Sequence, residues 1–179
     1  FYFARLKQGN LLRSMNNFVG AQIVYENLIN GFPAHEMRYI AELSRADCML
    51  ALAGNDSDGL ADAVIILERL LDLPNLPLDF QAEAAQKWAF ALIKSGSIEK
   101  AKEVLWLSVD RFIGDGEKAA ALGAAGRYWL ARSMLQLGEI FEKQDNLVEA
   151  RKVYRQVIAY NLPGRHIAIS RVDQILEVE

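Results

Sequence analysis

The sequence predicts an all-α fold, a right-handed superhelical solenoid of antiparallel helix pairs with about eight or nine helices. Three observations carry that prediction. Apolar residues recur at helical spacing along most of the chain. Glycine, proline and asparagine punctuate the pattern at short intervals. Above all, one arrangement of small and large residues repeats. Gly9, Leu12, Ala21, Tyr25 and Leu28 stand at the same mutual distances as Gly138, Phe141, Ala150, Tyr154 and Val157. Pro33 closes the first copy, and Pro163 closes the second one residue later. Gly138 and Ala150 have almost no side chain, so two helices can approach closely there. Phe141 and Tyr154 fill the space beside them.

The elements follow in order. The first pair runs over about 2–33, with Asn16 and Asn17 at its turn and Gly31 and Pro33 at its end, because asparagine tolerates turn geometry and caps the next helix. The second pair is looser. Ile40, Leu43, Asp47 and Leu50 recur at helical spacing, with Ala46 as the close-contact position. A polar turn over Gly54–Gly59 follows, then a helix carrying Ala63, Leu67, Leu70 and Leu71 that stops at Pro74. The third pair starts near Asp79, read as an N-cap. It carries Ala85, Trp88, Ala89 and Leu92, turns at Gly96, is capped by Ser97, and continues through Ala101 and Leu105 to Phe112. Glu117–Leu130 is an extra segment. Its glycines, Gly123 and Gly126, each cost only about 1 kcal/mol inside a helix, so one long helix over Glu117–Lys143 is expected, with a break near Gly126 as the alternative. The small residues of 119–126 are expected to pack closely against the third pair. His166–Val178 reads as a last amphipathic helix, covering the open end of the fourth pair or beginning a further one.

Composition narrows the function classes. Hydrophobic residues make up 52% and charged residues 24% of the 179, enough for a packed core. The longest apolar stretch, near 63–67, is too short to span a bilayer, so no membrane insertion is expected. A net charge of −3 with scattered lysines and arginines offers no field for nucleic acid. The single cysteine, Cys48, permits no internal disulfide and reads as a packed thiol. The chain begins at Phe1, directly in a helical pattern and with no signal segment, and reads as a piece of a longer or processed chain. Periplasm, cell envelope and cytoplasm all stay open.

On the residues quoted above, the chain resembles the tetratricopeptide repeat family over roughly 1–34 and 131–164, less closely over 82–115, and weakly over 36–78. Two departures stand out: the turn at Gly54–Gly59 is long, and 117–130 exceeds the repeat unit of about 34 residues. The phrases Tyr25-Glu-Asn-Leu-Ile-Asn-Gly-Phe-Pro33 and Tyr154-Arg-Gln-Val-Ile158 resemble bacterial envelope proteins of this family, such as those serving outer-membrane assembly or the Tol–Pal system. The resemblance implies one array (repeats of about 2–35, 36–78, 79–115 and 117–164, with a capping helix over 166–178) that binds a protein or peptide.

No constellation for catalysis, metal or cofactor binding emerges. His35 and His166 stand apart, and neither His-x-x-x-His nor Cys-x-x-Cys occurs. Aligning Gly59 with the sixth position of a calcium loop puts Gly54 and Ile65 where oxygen ligands are required, so Asp56 and Asp58 are read as turn and capping residues. The glycines of 123–126 lack the strand and Gly-Lys-Ser/Thr of a phosphate loop. Glu139 and Glu142 read as a solvated face.

In such an array the first helix of each repeat lines the concave face. The resemblance therefore assigns Phe3, Leu6, Lys7, Asn10 and Arg13, then Glu83, Gln86, Lys87, Phe90 and Lys94, then Arg132, Leu135, Gln136, Glu139 and Lys143 to partner binding. Lys7 and Asn10 resemble part of the family's carboxylate clamp. However, they are three residues apart instead of four, and Glu83 falls where a lysine is needed. Separately, the helix around Trp106 is apolar nearly all round. Either the 117–143 helix covers its second face, or Trp106 is an exposed anchor for a partner or a second copy of the chain. The leading functional expectation is a non-catalytic binding scaffold. The rival is a regulatory or targeting domain of a larger enzyme.

Overall fold

The computed structural model describes residues 1–54 and 57–178, which form ten helices and no strand. The chain divides into two compact units. One comprises Phe1–Leu76 with Phe90–Gly96, and the other comprises Pro77–Ala89 with the residues from Ser97 onward.

The first unit contains α1 (Tyr2–Ser14), α2 (Phe18–Gly31), α3 (Arg38–Ala53) and α4 (Ser57–Leu71), each packed on the next. The turn between α1 and α2 places Asn16 at φ 59°, and Asn17 caps α2 by accepting a hydrogen bond from the Gly20 N–H at 3.0 Å. Gly9 is where the two helices close. A Cβ there would lie 2.5 Å from Tyr25 Cε1. Tyr25 is fully buried with Ala21, Leu28, Ala41 and Cys48 around it. At the other end, the Tyr2 hydroxyl donates to the Met37 carbonyl at 2.8 Å, and its ring stacks on His35 with centroids 3.7 Å apart. The buried Glu42 carboxylate joins α3 to α4, since its Oε1 lies 2.9 Å from both Arg38 Nε and Arg69 Nη2.

Two expectations for this unit need correction. Leu6 is buried in the core, because it shares the inward face of α1 with Tyr2 and Gly9. The long polar turn is shorter than expected: α3 ends at Ala53 and α4 begins at Ser57, so Asp58 and Gly59 are helical. Asp58 lies in the first turn of α4, where a negative charge favours the helix dipole. Asn55 and Asp56 of that turn lie outside the described residues.

Cys48 is fully buried, and burial pushes its thiol up to about 11. Both effects oppose attack by electrophiles, which need the exposed thiolate. Native protein is therefore expected to react with iodoacetamide on the order of 100-fold or more slower than urea-unfolded protein, as followed by mass spectrometry. Equal rates would mean that the first unit opens freely.

The second unit contains the start of α5 (Leu78–Lys94), then α6 (Ile98–Ile113), α7 (Gly116–Ala121), α8 (Ala124–Lys143), α9 (Leu147–Ala159) and α10 (Arg165–Val178). The α8–α9 pair repeats the construction of α1–α2. A Cβ on Gly138 would lie 2.5 Å from Tyr154 Cζ, Asp145 turns at φ 59°, and Asn146 caps α9 through the Glu149 N–H. The turn after α5 uses Gly96 at φ 82° in the corresponding place, seven residues after Ala89. Ser97 occupies the N-cap position of α6 without a side-chain capping bond. On α10, Ala168, Val172 and Ile175 are buried, while Ile167, Ile169 and Leu176 remain exposed.

The expected single helix over 117–143 is broken at Leu122 and Gly123, which is why ten helices occur where eight or nine were expected. Leu122 is buried with extended backbone, φ −66° and ψ 128°. The Gly123 N–H donates to Asp79 Oδ1 at 2.9 Å and is thereby withdrawn from a continuous helical ladder. Asp79 is accordingly no N-cap of its own helix. It sits in the first turn of α5 and caps α8 from outside. Of the small residues in 119–126, only Gly126 is buried, against Asp79 and Leu122, and α7 buries no residue.

Of the two alternatives for α6, this segment covers only part of the helix: α7 and α8 pack against it, yet the side of Trp106 and Leu107 stays open. Trp106 is 46% and Leu107 61% exposed. Phe141 of α8 meets the indole in a T-shaped contact, with centroids 6.4 Å apart and planes at 81°. Trp106→Ala is therefore expected to cost less than about 2 kcal/mol, whereas Phe112→Ala, fully buried on the same helix, should cost about 3–5 kcal/mol. Paired urea melts measure the difference, and equal costs would place Trp106 in the core.

Candidate protein-binding surface

The residues assigned from sequence to a concave face fare differently. In the first unit, Lys7 is exposed. Asn10 accepts the Tyr25 hydroxyl at 2.7 Å and Arg13 pairs with Asp47, so both side chains also hold the fold together. Lys94 lies 5.6 Å from the centroid of the half-buried Phe90 ring.

In the second unit, Gln86 and Lys87 are buried, and so are not free as expected. Lys87 pairs with Glu83 one turn away and lies 5.0 Å from the Trp129 ring centroid. The stem of a lysine buries readily when its ammonium finds a carboxylate and an aromatic face. Gln86 donates through Nε2 to Gln136 Oε1 at 3.2 Å.

Arg132, Leu135, Gln136 and Glu139 stand at i, i+3, i+4 and i+7 on α8, which places them on one stripe. With Tyr128, Pro163 and Ile167 they line a pocket of about 340 Å³. Gly164, at φ 80°, also lines it and leaves room for Leu135; a Cβ there would come within 2.9 Å of Leu135 Cδ1. The Arg132 guanidinium lies 5.7 Å and 5.9 Å from the ring centroids of Trp129 and Tyr128, and its Nη1 donates to the Tyr128 hydroxyl at 3.2 Å. Two aromatic faces and a hydroxyl thus hold one cation in place. Tyr128 and Trp129 were not singled out from sequence. The available signal was their placement four and three residues before Arg132, one helical turn away.

The second exposed surface is formed by Trp106 and Phe141, rimmed by Glu99, Lys100, Lys102 and Glu103. Glu99 accepts from Gln144 Nε2 at 2.6 Å and pairs with Lys102 at 2.6 Å. Lys102, with Gln144 among the first causes, lowers the Glu99 carboxyl below its ordinary range.

Among the described residues, no group of three or more histidine, cysteine, aspartate and glutamate side chains could hold a metal ion. No helix among them is long and apolar enough to cross a membrane.

Comparison with known proteins agrees with the hairpin geometry. No curated protein matches the chain in sequence. A family model described as tetratricopeptide repeat matches residues 132–161, the stretch that contains Gly138, Phe141, Ala150, Tyr154 and Val157. There the glycine and the tyrosine close two antiparallel helices as the sequence spacing requires, so the chain carries a tetratricopeptide repeat at 132–161 within an all-helical fold of the described residues.

Proposed function

We propose that the chain is a non-catalytic interaction module that holds a polypeptide of a partner protein. The hairpin repeats of about 2–35, 36–78, 79–115 and 117–164 are read as one array, capped by 166–178. The repeat type supports a protein partner, since solenoid repeats present extended binding surfaces. The observation that carries the reading is the α8 stripe. Leu135 offers apolar surface, Gln136 an amide, and Arg132 and Glu139 opposite charges, all around one open pocket. Lys7 and Phe90 of the first unit, and Trp106 of the second, are the further contact residues this reading assigns.

Affinity capture with the chain as bait tests the proposal. The comparison bait carries Arg132→Glu, with its tryptophan-detected melt checked against the original. A polypeptide retained by the first bait and lost from the second supports the reading. Equal retention on both, or none on either, overturns the α8 stripe as the binding surface.

A further inference from the structure

Several charges of the second unit are paired within it: Glu83 with Lys87, Glu99 with Lys102, Asp115 with Lys118, Glu142 with Arg171, and Glu149 with Lys152. Arg132 and Glu139 are not among these pairs. Among the described residues, no carboxylate pairs with Arg132 and no cation pairs with Glu139. Both are exposed, both line the same pocket, and they lie two helical turns apart on one stripe. At a rise of 1.5 Å per residue that separation is about 10 Å along α8, too far for the two to neutralise each other. Arg132 is moreover held over Tyr128 and Trp129, so little side-chain freedom is lost when an anion reaches it.

The span between the two charges is neither empty nor uniform. Leu135 and Gln136 fill it on α8, and Pro163 and Ile167 face it across the pocket. Gln136 already accepts from Gln86, and a carboxamide in that position keeps its own two N–H donors for a main-chain carbonyl. The geometry therefore fits an extended chain lying along α8 with one anionic and one cationic side chain about 10 Å apart. A polyproline II segment repeats every three residues with a rise of about 3.1 Å each, so residues i and i+3 point the same way about 9 Å apart. In a β-strand, residues i and i+3 point to opposite faces.

We infer that this stripe selects a polyproline II segment carrying an acidic and a basic residue three positions apart, the acid on Arg132 and the base on Glu139. The inference rests on the binding reading above and adds the chemistry of the segment. A helical occupant and a second copy of the chain are the alternatives that the test separates.

The test is a screen of a randomised library of end-blocked decapeptides against the full chain, repeated with the charge-swapped variant Arg132→Glu/Glu139→Arg. Selected peptides are expected to be enriched in an acid and a base three apart, in one fixed order. The swapped variant should select the opposite order. A synthetic selected peptide should lose roughly tenfold in affinity when both its charges become glutamine, and its binding should weaken in high salt. Selection of apolar peptides without the charge pair, or of pairs seven apart as along a helix, overturns the inference and leaves the peptide-binding reading standing. Selection of nothing, or a mass doubled in light scattering that Arg132→Glu restores to one chain, overturns both.

Discussion

Truncating Tyr154 to alanine is expected to destabilise the second unit by about 4 kcal/mol, among the largest effects of the changes considered. The side chain is fully buried, and removal of a buried aromatic costs about 3–5 kcal/mol through lost transfer energy and the cavity left behind. Burial also pushes the Tyr154 hydroxyl well above its ordinary range, with Glu142 adding to the rise, so the group is neutral at any ordinary pH. The contact with Gly138 sharpens the prediction. Alanine at 138 should gain about 1 kcal/mol of helix propensity, but its Cβ would lie 2.5 Å from Tyr154 Cζ. Overpacking of a rigid ring costs about 1–3 kcal/mol, so Gly138→Ala alone should be destabilising. In the Tyr154→Ala background the clash is gone, and the same change should become stabilising by up to about 1 kcal/mol. All three tryptophans, Trp88, Trp106 and Trp129, belong to this unit, so fluorescence-detected urea melts read it directly. A Gly138→Ala effect of the same sign in both backgrounds would refute the close approach.

Asp79→Ala should cost about 1–2 kcal/mol and loosen the first turn of α8, as loss of an N-terminal cap does. The effect is specific because the cap comes from a different helix. Asp79 Oδ1 takes the Gly123 N–H at 2.9 Å, and the next turn begins with the Arg127 N–H bonded to the Gly123 carbonyl at 3.0 Å. Arg127 in turn donates to the carbonyls of Tyr160 and Asn161, both at 3.0 Å, so disorder at Gly123 should propagate to the end of α9. Gly126→Ala should have a similar effect by a different route, since its Cβ would press on Asp79 and lie 2.6 Å from Leu122 Cδ2. Amide exchange measures both variants. Unchanged protection at Gly123 and Arg127 in Asp79→Ala would show that the capping bond contributes nothing.

Much of the fold was legible because its rules are local. A glycine sixteen residues before a tyrosine, an asparagine that turns the chain and a second that caps the next helix are short-range chemistry. They recur at Gly9, Asn16 and Asn17, and with aspartate in the turn at Gly138, Asp145 and Asn146. The stripe of Arg132, Gln136 and Glu139 was legible for the same reason, being set by helical spacing alone. Lys87 was misread because its burial depends on Trp129, 42 residues along the chain, and Leu6 because the inward face of α1 is defined by α2 and α3.

The sequence by itself determined that the chain forms helices, where most of them turn, and that two of its helix pairs close on a glycine and a tyrosine. Only the tertiary structure decided that 117–143 breaks at Leu122, that Asp79 caps a helix other than its own, and that Arg132 is held over two rings while its charge stays unpaired. The physical reason is range. Helix propensity and turn chemistry act within a few residues, whereas a capping carboxylate and an aromatic platform are brought to their places by packing between segments far apart in the chain.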